Sequence, residues 1–363
     1  MGSITRSFAN LITANGTSGI PDGTVTNADL AGSISTDKLA GNINFKNIII
    51  NGDMSIAQRG TSESGIGATG GTYLLDRFEF VNVGALGTWT MSQDTDVPSA
   101  QGFAKSFKLD CTTADAAPAA SDILILRQLI EGQNLQYLKK GTANAESLTA
   151  SFWVKSSKTG TYIAELYDYD NTRTISKSYI INSANTWEKK TLTFAGDTTG
   201  AFDNDNAVSL YLNFWLGSGT DYTSGTLQTS WGAYSATDRA VGQDNLADNT
   251  ANNFWITGVQ LEAGTTASDF EFLPYDVNKT RCERYYAVRR GGVSKPSTAG
   301  FSCMTSQFTV NTENMRTTPS YTYTNLSGSG AVFKQYGNYW NQTNYGMSNA
   351  AAHYINVKFD AEL

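Results

Sequence analysis

The connection from Gly217 to Asn253 carries Tyr222, Trp231 and Tyr234, together with Asp221, Gln228 and Asn245. Sugars offer flat C–H faces that stack on Trp and Tyr rings, while Asn, Gln and Asp take their hydroxyls. That mix suits a concave site with apolar walls and a few polar anchors. Connections of this length are commonly functional or disordered. Tyr167 and Tyr169 flank the turn at Asp168 and Asp170 and could line one edge of such a site. The same aromatics could instead cap a β-sandwich or pack between subunits, and both readings stay open.

Other chemistries find little support. The one histidine, His353, lies in an alternating segment near the C-terminus and reads as structural. Without a second histidine, Ser/His and Cys/His nucleophilic sites are nearly excluded. No Gly-rich loop follows a strand and opens a helix, so no phosphate cradle is expected. Asp168 with Asp170, and Asp203 with Asp205, are the carboxylate pairs that could serve a glycoside hydrolase. Both sit in Asn- and Gly-rich turns, where Asp commonly bonds its own backbone. No catalysis is expected. Asp197, Asp203 and Asp205 could instead ligate calcium through hard oxygens in a flexible loop, although their spacing is not that of an EF-hand. No other cofactor is indicated.

The elements that must position these residues are strands. Of the 363 residues, 16% are charged, against about 25% in ordinary soluble domains. Thr, Ser, Asn and Gly carry the polar surface, which favours short strands and tight turns. The net charge of −7 and the lack of any basic block argue against nucleic acid and against anionic membranes. The longest apolar runs, Ile48 to Ile50 and Ile123 to Leu126, are too short to span a bilayer. The first residues do not read as a secretory leader. Cys111, Cys282 and Cys303 fit neither a disulfide framework nor a zinc pattern and are expected to be reduced thiols, mostly buried, of a cytoplasmically folded chain.

Residues 1–44 stand apart. Gly23 to Ala31 aligns with Gly32 to Ala40 as a nine-residue repeat, with Val25 and Ile34 in phase and Leu30 and Leu39 in phase. One such unit cannot bury its apolar face alone, so stacking or association with further copies is expected. The prediction is an oligomerising, anchoring stalk; the alternative is a flexible linker. Residues 45–277 show the alternation of half-buried strands, at Ser147 to Lys155, Tyr162 to Tyr167, Trp187 to Phe194, Val208 to Leu216 and Phe254 to Leu261. An antiparallel sandwich is predicted. Trp153, Trp187 and Trp255 are assigned to its core. A short helix or helical turn is predicted within Leu126 to Lys140, on the spacing of Leu126, Leu129, Ile130, Leu135 and Leu138. Residues 278–363 read as a small second β-domain.

Several strings resemble bacteriophage tail-fibre and related virion fibre proteins. They are Asn47 to Asp53 and Gln58-Arg59-Gly60, then Tyr73-Leu74-Leu75-Asp76-Arg77-Phe78, Ile130 to Leu135, Lys140 to Ala143 and Ser151 to Ser156. Asn185 to Lys189, Phe254 to Gly264, Phe270 to Tyr275, Cys282 to Tyr286, Met315 to Pro319 and Asp360 to Leu363 follow in order. The stretch Phe152 to Leu192 is, more weakly, similar to jelly-roll carbohydrate-binding modules, which bind glycans without cleaving them. The resemblance implies an all-β chain: an antiparallel jelly-roll-like sandwich with an extended N-terminal stalk and a small C-terminal β-domain. It implies a homo-oligomer, expected to be a trimer, located in the virion. The N-terminus would attach to other virion proteins of tail or capsid, and the sandwich would contact host-surface polysaccharide. A capsid (head) fibre or decoration protein, a polysaccharide-depolymerising tailspike and a secreted adhesin module are the alternatives.

Overall fold

The computed structural model describes residues 45–293, 310–311, 314–325, 331–336, 339–344 and 353–363. The repeat residues Val25, Leu30, Ile34 and Leu39, and also Cys303, lie outside the described residues. The chain parts into two compact units, 1–45 and 46–363.

Two antiparallel sheets form the sandwich expected from the alternation. The six-stranded sheet runs in the order β1 (Ser62–Ile66), β4 (Thr88–Asp94), β5 (Ser106–Thr113), β13 (Asn253–Ala263), β7 (Leu148–Ser156) and β10 (Glu188–Phe194). The seven-stranded sheet runs β12 (Gly232–Ala233), β9 (Arg173–Ile181), β8 (Gly160–Asp168), β11 (Val208–Ser218), β6 (Ile123–Glu131), β3 (Glu79–Val83) and β2 (Thr69–Tyr73). Inward residues of both, among them Trp89, Phe107, Phe152 and Phe254 from one and Phe80, Leu126, Tyr162 and Phe214 from the other, make a single core. Phe152 meets Phe214 edge-on at 4.9 Å between ring centres, the contact by which the two layers interlock.

Two expectations are corrected. Of the helix or helical turn expected within Leu126 to Lys140, the part up to Glu131 is strand, β6, and the helical turns are confined to 3-10 turns at Gly132–Asn134 and Gln136–Leu138. β6 pairs on both sides, with β11 and β3, and both its faces are covered. Leu124 and Leu126 point to the core, while Ile125 packs beneath the Gly217 to Asn253 connection with Trp215 and Ala240. A strand buried on two faces loses its alternation, and helical spacing arises by accident. The second correction concerns the tryptophans. Phe152, Val154, Phe254 and Ile256 take the core positions, so Trp153 and Trp255 face outward. Trp255 lies under Lys155 at 4.1 Å, and the Trp187 indole donates to Asp96 at 2.9 Å.

The helix α1 (Tyr275–Glu283) crosses the boundary expected at residue 278 and is followed by β14 (Tyr286–Val293), β15 (Val310–Asn311), β16 (Ser320–Asn325), β17 (Ala331–Tyr336), β18 (Tyr339–Asn344) and β19 (His353–Asp360). His353 opens β19. The three-stranded sheets are β14-β19-β16 and β15-β18-β17. This part does not separate from the sandwich as an independent unit. Ile50 and Ile56 pack on Cys282 and Tyr285, and buried Arg77 pairs with Glu362 while lying 3.5 Å over the Tyr285 ring.

Candidate functional site

Alternation along β8 and β11 sends every second side chain out of the sandwich. On this outer face Tyr167 of β8 and Tyr211 of β11 stand opposite one another in register. Their rings stack at 5.4 Å with planes 15° apart. Tyr169, just past β8, is held by a bond from its backbone N–H to the Ser209 carbonyl and sets its ring edge-on to Tyr211 at 5.8 Å. Tyr234, on the long connection, donates its backbone N–H to the Thr172 carbonyl and brings its ring to 5.7 Å from Tyr167. Tyr169 is 52% exposed and Tyr234 37%. The four rings are contiguous; Tyr169 and Tyr234 open the cluster to solvent, Tyr167 is half-buried and Tyr211 is buried at its base.

Two arginines border it. Arg127 lies 5.0 Å from the centre of Tyr211 and donates from Nε to Glu79 at 2.6 Å. Arg239 lies 5.5 Å from Tyr167 and 5.0 Å from Tyr234, and grips Glu165 through Nε and Nη2 at 2.7 and 2.8 Å. Burial works against the Arg239 charge, yet Glu165 holds it more firmly protonated than usual. Burial pushes the Tyr211 hydroxyl up to about 12 and also raises Glu79, against the pull of Arg127. Glu165 further accepts from the Trp215 indole at 3.2 Å and from Asn213 at 2.8 Å. It thereby ties the connection that carries Tyr234 to the sheet that carries Tyr167.

Of the aromatics singled out in the sequence, Tyr167, Tyr169 and Tyr234 are brought together. Tyr222 is not: it packs against Trp215 at 5.6 Å beneath the connection. Trp231 packs on the sandwich core, and its indole donates to the Ala195 carbonyl at 2.7 Å. Tyr211 was missed, because β11 reads as nearly continuous apolar sequence.

The acidic loop residues serve other roles. Asp197 takes both Arg173, at 2.7 Å, and Lys140, at 3.1 Å. Asp205 caps the Ala207 N–H at 2.9 Å, and Asp203 presents its backbone N–H to Asp170 at 2.9 Å. Among the described residues no three His, Cys, Asp or Glu side chains lie close enough to hold a metal ion, so the calcium site expected at Asp197, Asp203 and Asp205 is not formed there. Asp168 pairs with Lys140 at 2.5 Å and accepts from Asn171. Among the described residues no helix is long and apolar enough to cross a membrane.

No family model matches the chain, and no curated protein does. Solved structures overlap it loosely. The enzymatically active domain of tailspike protein 4 from bacteriophage CBA120 has a TM-score of 0.31 at 16% identity, over 60% of this chain and 21% of that one. A CBM4 structure gives 0.30 at 11% identity, over 59% and 97% of the two chains. TmCBM61 in complex with β-1,4-galactotriose gives 0.25 at 11% identity, over 60% and 98%. Overlaps of this looseness assign neither ligand nor partner.

Proposed function

We propose that the chain is a bacteriophage fibre protein that recognises host-surface glycan through the tyrosine surface and does not cleave it. The observation that carries the reading is the set of four contiguous rings, Tyr167, Tyr169, Tyr211 and Tyr234, flanked by Arg127 and Arg239. Pyranose rings stack on such a surface, and the bordering arginines offer donors to their hydroxyls. The ordered set of strings shared with phage fibres supports the virion setting: attachment through residues 1–44, assembly as a homotrimer, and the sandwich turned toward the host. Several weak sites on one particle would raise effective concentration by orders of magnitude. The non-catalytic reading is supported by the carboxylates of Asp168, Asp170 and Asp205, which accept from neighbouring backbone N–H groups.

The test is a double substitution, Tyr169→Ala with Tyr234→Ala, both at exposed positions. Binding to host cells and to their extracted polysaccharide is expected to fall about 10- to 100-fold, from two aromatic contacts of about 0.5–1.5 kcal/mol each. The melting temperature should stay near that of the parent. Unchanged binding would overturn the site. Reducing ends released from the same polysaccharide would replace a binding fibre by a depolymerising tailspike.

A further inference from the structure

A second exposed aromatic surface lies on the side of the sandwich away from the tyrosines. On β13, Phe254, Ile256, Val259 and Leu261 face the core, so Thr257 and Gln260 face outward, where two loops cover them. The Thr257 hydroxyl donates to the Lys105 carbonyl at 2.7 Å. The Gln260 side chain donates to Ser268 at 3.1 Å and accepts from the Glu271 N–H at 2.9 Å. Between them β13 bulges at Gly258, whose φ of 62° suits glycine. An added Cβ there would stand 2.6 Å from the Phe103 ring, so the ring rests directly on the strand.

Phe103 in turn carries Phe270 and Phe272, each at 5.1 Å between ring centres, and those two meet edge-on at 4.9 Å. Phe103 is buried, yet Phe272 is 50% exposed and Tyr275, where α1 begins, 63%. Pro274 between them is exposed as well. The fold fixes a ring on two others and leaves it half in solvent, which marks an interaction surface.

The place where the preceding chain joins indicates the partner. Residues 1–45 form a unit of their own, which continues into the sandwich at Lys46. Beside that joint the Asn47 N–H donates to the Glu271 carboxylate at 2.9 Å, one residue before Phe272.

We propose that Phe272, Pro274 and Tyr275 form the contact between the sandwiches of neighbouring copies of this chain; this rests on the homotrimer reading above. Copies associated through the nine-residue repeat are tethered at the rim of the patch, so the tether brings these surfaces together. Area sets the strength of the contact. Aromatic side chains bury about 150–250 Å² when fully covered, so the two rings offer about 100–150 Å² apiece. A stable interface takes about 800 Å² from each partner. The patch alone does not hold copies together, and it closes when the tether raises their effective concentration to about the millimolar range. Contact on this side leaves each tyrosine cluster, on the opposite sheet, turned away from the neighbouring copies and open to glycan.

The experiment places the photocrosslinking residue p-benzoylphenylalanine in the full chain, in one protein at Tyr275 and in another at Ile180. Both positions are exposed, and Ile180 lies on β9, in the sheet of the tyrosines. Native mass is recorded for each. The Tyr275 probe should give adducts of two and three chains, mapping to residues 272–275 of a second copy. Their yield should hold over about a hundredfold dilution, because a tethered contact does not depend on encounter. The Ile180 probe should give none. An oligomer without Tyr275 adducts, with equal adducts from Ile180, or with a yield that falls on dilution at unchanged mass overturns the patch and leaves the homotrimer reading intact. A full chain with the mass of one copy overturns both. Tyr275→Ser should bind host polysaccharide as the parent does; loss of that binding at unchanged mass gives the patch to the glycan and overturns the contact.

Discussion

At the scale of single residues, the site depends on one ion pair out of solvent. Glu165 is fully buried and binds Arg239 through two bonds, while also accepting from Asn213 and Trp215. Glu165→Ala would leave the guanidinium buried and unpaired, which costs about 3–5 kcal/mol. Urea unfolding should register that loss, and glycan binding should fall with it, because Tyr234 would lose its anchor. A loss under about 1 kcal/mol would mean that water replaces the carboxylate. The cysteines give a second residue-scale prediction. Burial pushes the Cys111 thiol up to about 11 and Cys282 well above its usual value. Both stay protonated at pH 8, so neither should react with a disulfide reagent until the chain is unfolded. Fast labelling of Cys111 or Cys282 at pH 8 would contradict their burial. Tyr167, Tyr169 and Tyr234 were legible in the sequence because they flank turns and an unusually long connection. Tyr211 was not, because it lies within Leu210-Tyr211-Leu212-Asn213-Phe214, where apolar residues dominate and nothing marks which side chain leaves the core.

At the scale of elements, the fold class was plain from alternation in β7, β10 and β13. The errors fell where a second layer covers a strand, as on β6 beneath the long connection. Trp153 and Trp255 misled for the complementary reason. Large aromatics were taken for core when smaller neighbours, Val154 and Ile256, hold the inward phase. The opening string Asn47 to Asp53 finds its explanation at this scale. Asn47 bonds the Val259 carbonyl at 3.1 Å and the Leu261 N–H at 3.0 Å, while Gln128 holds both backbone groups of Ile50. The segment is thereby joined to one strand of each sheet. Gly52 lies against β13 so closely that an added Cβ would fall 2.0 Å from the Val259 carbonyl oxygen. Gly52→Ala is expected to destabilise by about 1–3 kcal/mol through overpacking, read as a lower urea midpoint with unchanged slope. Wild-type stability in that variant would show that the segment can lift away from β13 at no cost.

At the scale of the whole molecule, strings far apart in sequence meet in one buried hub. Gln58 binds Asp76 and the Tyr286 carbonyl, and Arg59 reaches Asp360 and Glu362. Arg77 pairs with Glu362 over the ring of Tyr285. These residues belong to four of the strings singled out in the sequence, so those strings mark the joint between sandwich and C-terminal strands rather than the tyrosine cluster. The hub closes within residues 46–363, which form one compact unit, whereas association was read from the repeat before it. The two can therefore be separated by experiment. Native mass should show the full chain at three times the 39.2 kDa of one copy, and a truncation starting at Lys46 should run as a folded monomer with the parent's melting transition. The truncation should also lose avidity for multivalent polysaccharide while keeping the affinity of a single site, because effective concentration falls when copies part. A trimer in both proteins would move the interface onto residues 46–363, where exposed Ile180, Phe272 and Tyr275 become the surfaces to substitute. A monomer in both would leave multivalency to the particle that carries the chain.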